Sequence, residues 1–506
     1  MSKGMSRSKK AMLNSAMAII YEIVSIVCGF ILPRLILKSF GSSYNGITSS
    51  ITQFLSCVTL LRSGIGGVTR AALYKPLAEK DDRRISGIYN ATDSFMRKVA
   101  LIFAASVLVF AIVFPFALHN EFEWLFTASL VLIIASSTFV DNYFGITNFM
   151  LLQADQKGYI NTALQILTVV LNTVVAAILI RVGASIHIVK LGSALVFFIR
   201  PIVINFYVRN HYKINRKIPK DNTAIAQRWD AFAHQIAQFI NNNTDVIVLT
   251  LFSDIKLVSV YTVYHLVGNG LYKLERTLTE GMSGAFGNMM AKHEDALLQQ
   301  NFRLFEFMVY TVSTFLFTCG GILIVPFVSV YTKGIDDISY IRYAFGILMC
   351  INQFLFCIRL PYQMIAEVAG HFKQTRNGAI MEAVINVVVS VFLVIKFGLI
   401  GVTVGTFCGL SFRTIQYSIY SSKYILKRSM KEVIRRIVVS CLEVGLTALV
   451  CNYLFGVITV NSYISWIIKA VEVAIVCAVI TGTVSFLFYK DDSKRFANKL
   501  LRTVHR

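Results

Sequence analysis

The chain has 506 residues, of which 56% are hydrophobic and only 15% charged, with a formal net charge of +22 at pH 7 and a mean hydropathy of +0.63. A soluble chain carries about a quarter charged residues, so this composition excludes a water-soluble globular fold and points to an all-α integral membrane protein. The positive charge does not indicate nucleic acid: it falls in short loops between apolar runs, with no nucleic-acid module or zinc-finger spacing beside it.

The N-terminal stretch "MSKGMSRSKK" precedes an apolar run too long for a signal-peptide core and is expected to flank a retained first helix on the cytoplasmic side. Fourteen spans are predicted in chain order, at 11–37, 44–74, 95–118, 123–149, 158–180, 186–208, 230–252, 257–282, 303–332, 339–367, 376–396, 399–422, 434–456 and 463–488. Alternate loops, among them "KPLAEKDDRR", "RNHYKINRKIPKDNTAIAQR" and "SKYILKRSMKEVIRR", hold about two-thirds of the 49 Lys and Arg. That bias places both termini in the cytoplasm. One span more or fewer would put half of the basic loops on the wrong side.

The outside loops are all short, the longest near "LHNEFEW" and "YTKGIDDIS", and none is the sizeable external loop or domain on which a membrane glycosyltransferase normally carries its acid/base or metal-binding residues. "SGIGG" in the second span has no following GK[ST] and no preceding strand, so it is not a nucleotide loop. The nine cysteines lie in or beside apolar runs without a CxxC pair, and act as small apolar fillers. The expectation is a non-enzyme without cofactor or metal. Any driving energy then comes from an ion gradient, the membrane potential or later use of the product.

Shifting the sequence by 212 residues sets Phe40 on Phe252 and Ser42 on Asp254; a shift of 211 sets Pro115 on Pro326, and one of 214 sets Asn172 on Asn386. Matches in order at a nearly constant offset predict two six-helix lobes, 1–212 and 213–430, followed by 431–506 with two further helices and a cytoplasmic tail. An even number of spans per lobe keeps both lobes in the same orientation, related by a pseudo-two-fold axis normal to the membrane.

Several stretches carry a family resemblance. They are "LPRLILKSFGSSYNGI" between the first two spans, "LLRSGIGGVTRAALYKPLAEKD" in the second, "NNNTDVIVLTLF" in the seventh, "AEVAGHFKQTRNG" before the eleventh and "KFGLIGVTVGT" after it. In these, and in its 6+6+2 span count, the chain resembles the polysaccharide-unit flippases (Wzx type) of the MATE-like (MOP) superfamily. The resemblance implies a bacterial cytoplasmic-membrane protein that moves an undecaprenyl-pyrophosphate-linked oligosaccharide to the outer leaflet by alternating access around a hydrated cavity. H+ or Na+ is the candidate coupling ion, and membrane lipids surround the protein. A lipid II or teichoic-type precursor flippase is the nearest alternative, and a MATE-type multidrug or cation antiporter the next.

Charges inside spans cost roughly 2.5–3.5 kcal/mol each at the helix centre. With Tyr44 outside and Tyr74 inside, Arg62 falls near the middle of the second span, too deep to snorkel. It either lines a cavity or pairs with a carboxylate such as Glu22. Arg70, about 12 Å further along at 1.5 Å per residue, approaches the cytoplasmic headgroups, where snorkelling and a ligand role both fit. In "YHLVGNGLYKLERTLTEGMSG", Lys273 and Arg276 flank the position matching Arg62, with Glu275 and Glu280 as local partners or neighbours. Arg34 follows Pro33 near the outer end of the first span. The resemblance places cationic residues of the first, second, seventh and eighth spans in the lumen, and arginine's planar fork suits a pyrophosphate. Asp245, with Asn242 and its neighbours and with His234 and Gln238 upstream, forms a polar belt in the seventh span. That belt serves ion coupling, sugar contact or an interhelical hydrogen-bond cluster. Asp141, Arg200, Arg359, Glu367, Glu382 and Arg413 are further charges in or near spans, and Glu443 and Glu472 are expected to be structural.

Overall fold

The computed structural model describes residues 7–59, 65–118, 121–223, 239, 243–280 and 282–496, helical almost throughout and without a strand among them. The chain groups into two compact units, Met1–Ser259 and Val260–Arg506. The first holds α1 (Arg7–Phe40), α2 (Ser42–Thr59), α3 (Ile65–Glu79), α4 (Asp82–Ala117) and α5 (Trp124–Val140), which a π-helical turn at Asp141–Gly145 joins to α6 (Ile146–Ala154). Then come α7 (Gly158–Arg181), α8 (Ile186–His211), the short α9 (Asn243–Phe252) and the start of α10 (Ile255–Glu280). The second unit takes the rest of α10, α11 (Ser283–Ala291), α12 (Asp295–Tyr331), α13 (Tyr343–Val368), α14 (Phe372–Phe397) and α15 (Leu399–Tyr420) with a π turn at Ser421–Ile425. It closes with α16 (Lys431–Phe455) and α17 (Tyr463–Phe488).

Every predicted span overlaps a described helix, and ten helical stretches among the described residues are long and apolar enough to cross a membrane. The predicted spans that fall short correspond to α2 with α3, α9, α10 and α15. These are the helices with polar rows: Asn45, Thr48 and Gln53 on α2, Asn243 to Asp245 on α9, His265, Asn269 and Lys273 on α10, and Thr403, Thr406 and Arg413 on α15. A row of that kind avoids hydrocarbon and turns toward protein or a hydrated space.

The outer surface shows which solvent the fold was built for. On α4, Leu101, Ile102, Leu108, Val109, Ile112, Val113 and Phe116 are exposed, while Phe103, Val107, Ala111 and Phe114 on the opposite face are buried. Both stripes follow the helical period, so the exposed one is a continuous apolar face. In water it would aggregate; in a bilayer it is the ordinary lipid-facing side. The protein is a multi-pass membrane protein.

Close helix approach is built into the α14–α15 hairpin. Gly401, Gly405 and Gly409 recur at four-residue intervals on one face of α15. A Cβ on Gly405 would lie 2.1 Å from Ser390 Oγ and 2.6 Å from its backbone nitrogen, and one on Gly401 would lie 2.3 Å from the Leu393 carbonyl oxygen. Small residues permit such contact in lipid, where packing rather than hydrophobicity drives helix association. Gly405→Leu is expected to force the hairpin apart and lower the folded, monodisperse fraction several-fold, measured by fluorescence-detected size exclusion after mild detergent extraction.

Polar contacts fasten the segments next to the spans. In the first unit the connection after α8 folds back on α4: Asn90 Nδ2 donates to the carbonyls of Asn215 and Ile218, each at 3.0 Å, and Arg216 pairs with Asp93 at 2.8 Å. In the second, fully buried Glu306 of α12 accepts from Arg428, from Arg436 Nε at 2.9 Å and from the Tyr362 hydroxyl at 2.5 Å. Arg436 also reaches Asp492 at 3.5 Å, which Arg303 approaches at 3.2 Å. The network ties α16 and the segment after α17 to α12 and α13. Higher in the same pair, the Thr481 hydroxyl donates to Glu443, joining α17 to α16.

Candidate functional site

The first unit contains a polar cavity inside the span region. α5 is apolar through its middle and ends in "ASSTFV", after which the π turn inserts one extra residue per turn and brings Asp141 against α8. Gly145 allows this approach: a Cβ there would lie 2.9 Å from Pro201 Cβ and 2.8 Å from Asp141 Oδ1. Arg200 of α8 then meets the carboxylate, Nη2 to Oδ1, at 2.6 Å. The two side chains keep 25% and 17% of their surface, so the pair sits on a wall and is not sealed in a core. The cavity it faces has a volume of about 300 Å³ and includes Thr52 and Ser56 of α2, Ser137 and Thr138 of α5, and Phe197 of α8. π turns of this kind occur often at functional sites.

Beside it runs a polar seam from α2 to α9 and the first turn of α10. Asn45 Nδ2 donates to Ser259 Oγ at 2.8 Å, Ser50 and Thr250 share a hydrogen bond at 2.7 Å, Gln53 donates to Asn243, and Ser56 Oγ lies 3.2 Å from Asn243 Oδ1. Asp245 is 7% exposed on α9, one residue past Thr244. In this seam Asn243 is an interhelical hydrogen-bond partner.

The remaining sequence-predicted site residues are spread along the chain. Arg62, His234 and Asn242, with Gln238, lie outside the described residues. Arg70 on α3 donates to Gln153 Oε1 of α6 at 2.6 Å, next to the turn that ends that helix. Glu22 and Arg34 are half-buried on α1. On α10, Lys273 is half-buried and Arg276 exposed. Glu275 is not their partner: it points into the second unit, buried, where the Ser313 hydroxyl donates to it at 2.5 Å and Cys357 lies alongside. The side chain of Glu280 is outside the described set.

The second unit carries a buried charge cluster of its own, Arg359 Nη1 to Glu382 at 2.7 Å and Arg413 Nε to the same carboxylate at 3.5 Å. Arg413 stands 213 residues after Arg200, within the offsets of the sequence repeat, and both arginines meet an acidic side chain of a neighbouring helix. Their charge inside apolar runs was the signal available in the sequence; which carboxylate each one meets was not.

No family model matches the chain, and no curated protein matches its sequence. Solved structures match its fold. A lipid II flippase, MurJ, in an inward closed conformation aligns with a TM-score of 0.69 at 15% identity, covering 95% of this chain and 99% of that one. An inward-facing multidrug resistance MATE family transporter of the MOP superfamily aligns at 0.59 and 13%, covering 82% and 99%. The fold is that of MurJ and the MATE transporters. A MATE transporter from Vibrio cholerae shares this MurJ/MATE fold at a TM-score of 0.54 and 11% identity, covering 84% and 99%. Identity this low establishes the architecture; what the MurJ/MATE fold carries in this chain depends on its own side chains.

Proposed function

We propose that the protein is a flippase that moves an undecaprenyl-pyrophosphate-linked oligosaccharide from the cytoplasmic to the outer leaflet of the bacterial cytoplasmic membrane. Transport proceeds by alternating access between lobes 1–212 and 213–430, around a cationic lumen to which Arg62, Arg34, Arg70, Lys273 and Arg276 contribute. Both termini lie in the cytoplasm, H+ or Na+ is the candidate coupling ion, and Asp245, Asn242, Glu22 and His234 are candidates for ion coupling or sugar contact. The observation that carries this reading is the extent of the likeness to the lipid II flippase, 95% of the chain against 82% for the MATE family transporter. The difference is of the size of the last helix pair and tail, 431–506. The charge of the second and eighth spans supports it: an exporter of organic cations needs an acidic lumen, whereas Arg62, Lys273 and Arg276 suit a diphosphate.

The same likeness keeps a lipid II or teichoic-type precursor as the second reading of the cargo. Depletion separates them. The lipid-linked intermediate that accumulates on the cytoplasmic side identifies the substrate: an undecaprenyl pyrophosphate bearing a repeat-unit oligosaccharide is the expected result, and lipid II selects the second reading. Accumulation of no such lipid together with raised drug sensitivity overturns both in favour of a cation exporter.

A further inference from the structure

We propose that the cavity walled by α2, α5 and α8 is a subsite for one sugar ring of the carried glycan. This deepens the flippase reading and rests on it. Its lining selects the ligand chemistry. Thr52 Oγ1 donates its hydrogen to the Thr48 carbonyl at 2.7 Å, Ser56 Oγ to that of Gln53 at 2.6 Å, and Ser137 Oγ to that of Ile134 at 3.3 Å. With those hydrogens directed into their own helices, the Thr52 and Ser137 oxygens present lone pairs to the cavity, while the Ser56 hydrogen is shared between the Gln53 carbonyl and Asn243 Oδ1. The Asp141 carboxylate is an acceptor as well. A wall of acceptors matches a ligand that brings several O–H donors, which a sugar does and a phosphate, itself an acceptor, does not.

Two features complete the match. Arg200 contributes donors from a planar fork, of which Nη2 serves Asp141, so the guanidinium can meet a ring, acetamido or carboxyl oxygen. Phe197 offers an apolar surface for the C–H face of a pyranose. A volume of about 300 Å³ lies at the low end of the roughly 300–1,000 Å³ that small-ligand sites occupy, suited to one ring and not to a whole repeat unit. Thr138 lines the cavity half-buried, and its hydroxyl makes no hydrogen bond among the described residues. A larger side chain there fills the space without breaking a side-chain hydrogen bond.

The test uses the full chain in nanodiscs and two probes, undecaprenyl pyrophosphate alone and undecaprenyl pyrophosphate carrying a single N-acetylglucosamine. Wild type is expected to bind the sugar-bearing lipid about tenfold more tightly. Thr138→Leu, which fills the cavity, should remove that difference while leaving the affinity for the bare lipid unchanged. Thr138→Val, of the same shape without the hydroxyl, should reduce it only partly, with an unaltered thermal midpoint as the check on folding. A preserved difference in Thr138→Leu overturns the subsite, as does an equal weakening of both lipids. Equal binding of the two lipids by wild type removes the subsite and leaves the flippase reading standing, whereas binding of neither removes both.

Discussion

Glu306→Ala is expected to destabilise the second unit by about 3–5 kcal/mol, the cost of breaking a buried ion pair from one side. The wild-type carboxylate is fully buried between two guanidiniums, those of Arg428 and Arg436, which are 14% and 4% exposed. Burial by itself would depress Arg428, in the connection before α16, but the hydrogen bond and charge of Glu306 outweigh it and lift its pKa. Removing the carboxylate leaves two guanidiniums without the partner that compensated their desolvation. The loss should appear as a lower thermal midpoint in detergent and a smaller folded fraction in the membrane. A second substitution tests the cause. Glu306→Leu combined with Arg428→Met removes the pair together and leaves Arg436 its second carboxylate, Asp492 at 3.5 Å. It should therefore recover part of the stability. If the double variant is as unstable as Glu306→Ala, or if Glu306→Ala unfolds like wild type, the network is not what holds α16 and α17 to α12.

The helices were legible because hydropathy reports where hydrocarbon begins and ends, and their ends were not. The third and ninth spans were expected from 95 and 303, yet α4 starts at Asp82 and α12 at Asp295. The extra turns lie beyond the apolar run, where composition alone does not separate a helix from a loop. Pairings were the larger loss. Asp141 and Arg200 are 59 residues apart, and Glu306 and Arg436 are 130 apart, so only the fold brings them together. Sequence proximity misdirected at Glu275: residues one or two apart on a helix do not face each other, and while Lys273 and Arg276 flank it in sequence, its carboxylate turns to Ser313 on α12. The π turn after Val140 left no mark on the apolar pattern, although it is what sets Asp141 against Arg200.

Arg62→Ala is expected to abolish flipping while leaving folding and membrane level intact. The physical case begins with its place in the second span, about the middle of the run from Tyr44 to Tyr74, where a guanidinium costs roughly 2.5–3.5 kcal/mol. In the sequence it stands between Gln53 and Ser56, which α2 carries, and Arg70, which α3 carries. A charge retained at that depth needs a compensating partner, and on the proposed reading the partner is transient: the pyrophosphate of the cargo. Truncating one side of a desolvated, hydrogen-bonded charge pair costs about 2–5 kcal/mol, which is roughly 30-fold to several-thousand-fold in affinity. Arg62→Lys keeps the charge but not the planar fork that meets two phosphate oxygens at once, and should fall between alanine and wild type. A purely structural pair with Glu22 predicts something else: Arg62→Ala would then lower the thermal midpoint, and Arg62→Ala with Glu22→Gln would restore it without regard to substrate. Proteoliposome flipping of undecaprenyl pyrophosphate carrying one sugar, measured beside the thermal midpoints, tells the two apart. Wild-type transport by Arg62→Ala would remove the arginine from the lumen and with it the strongest residue-level support for a phosphate-bearing cargo.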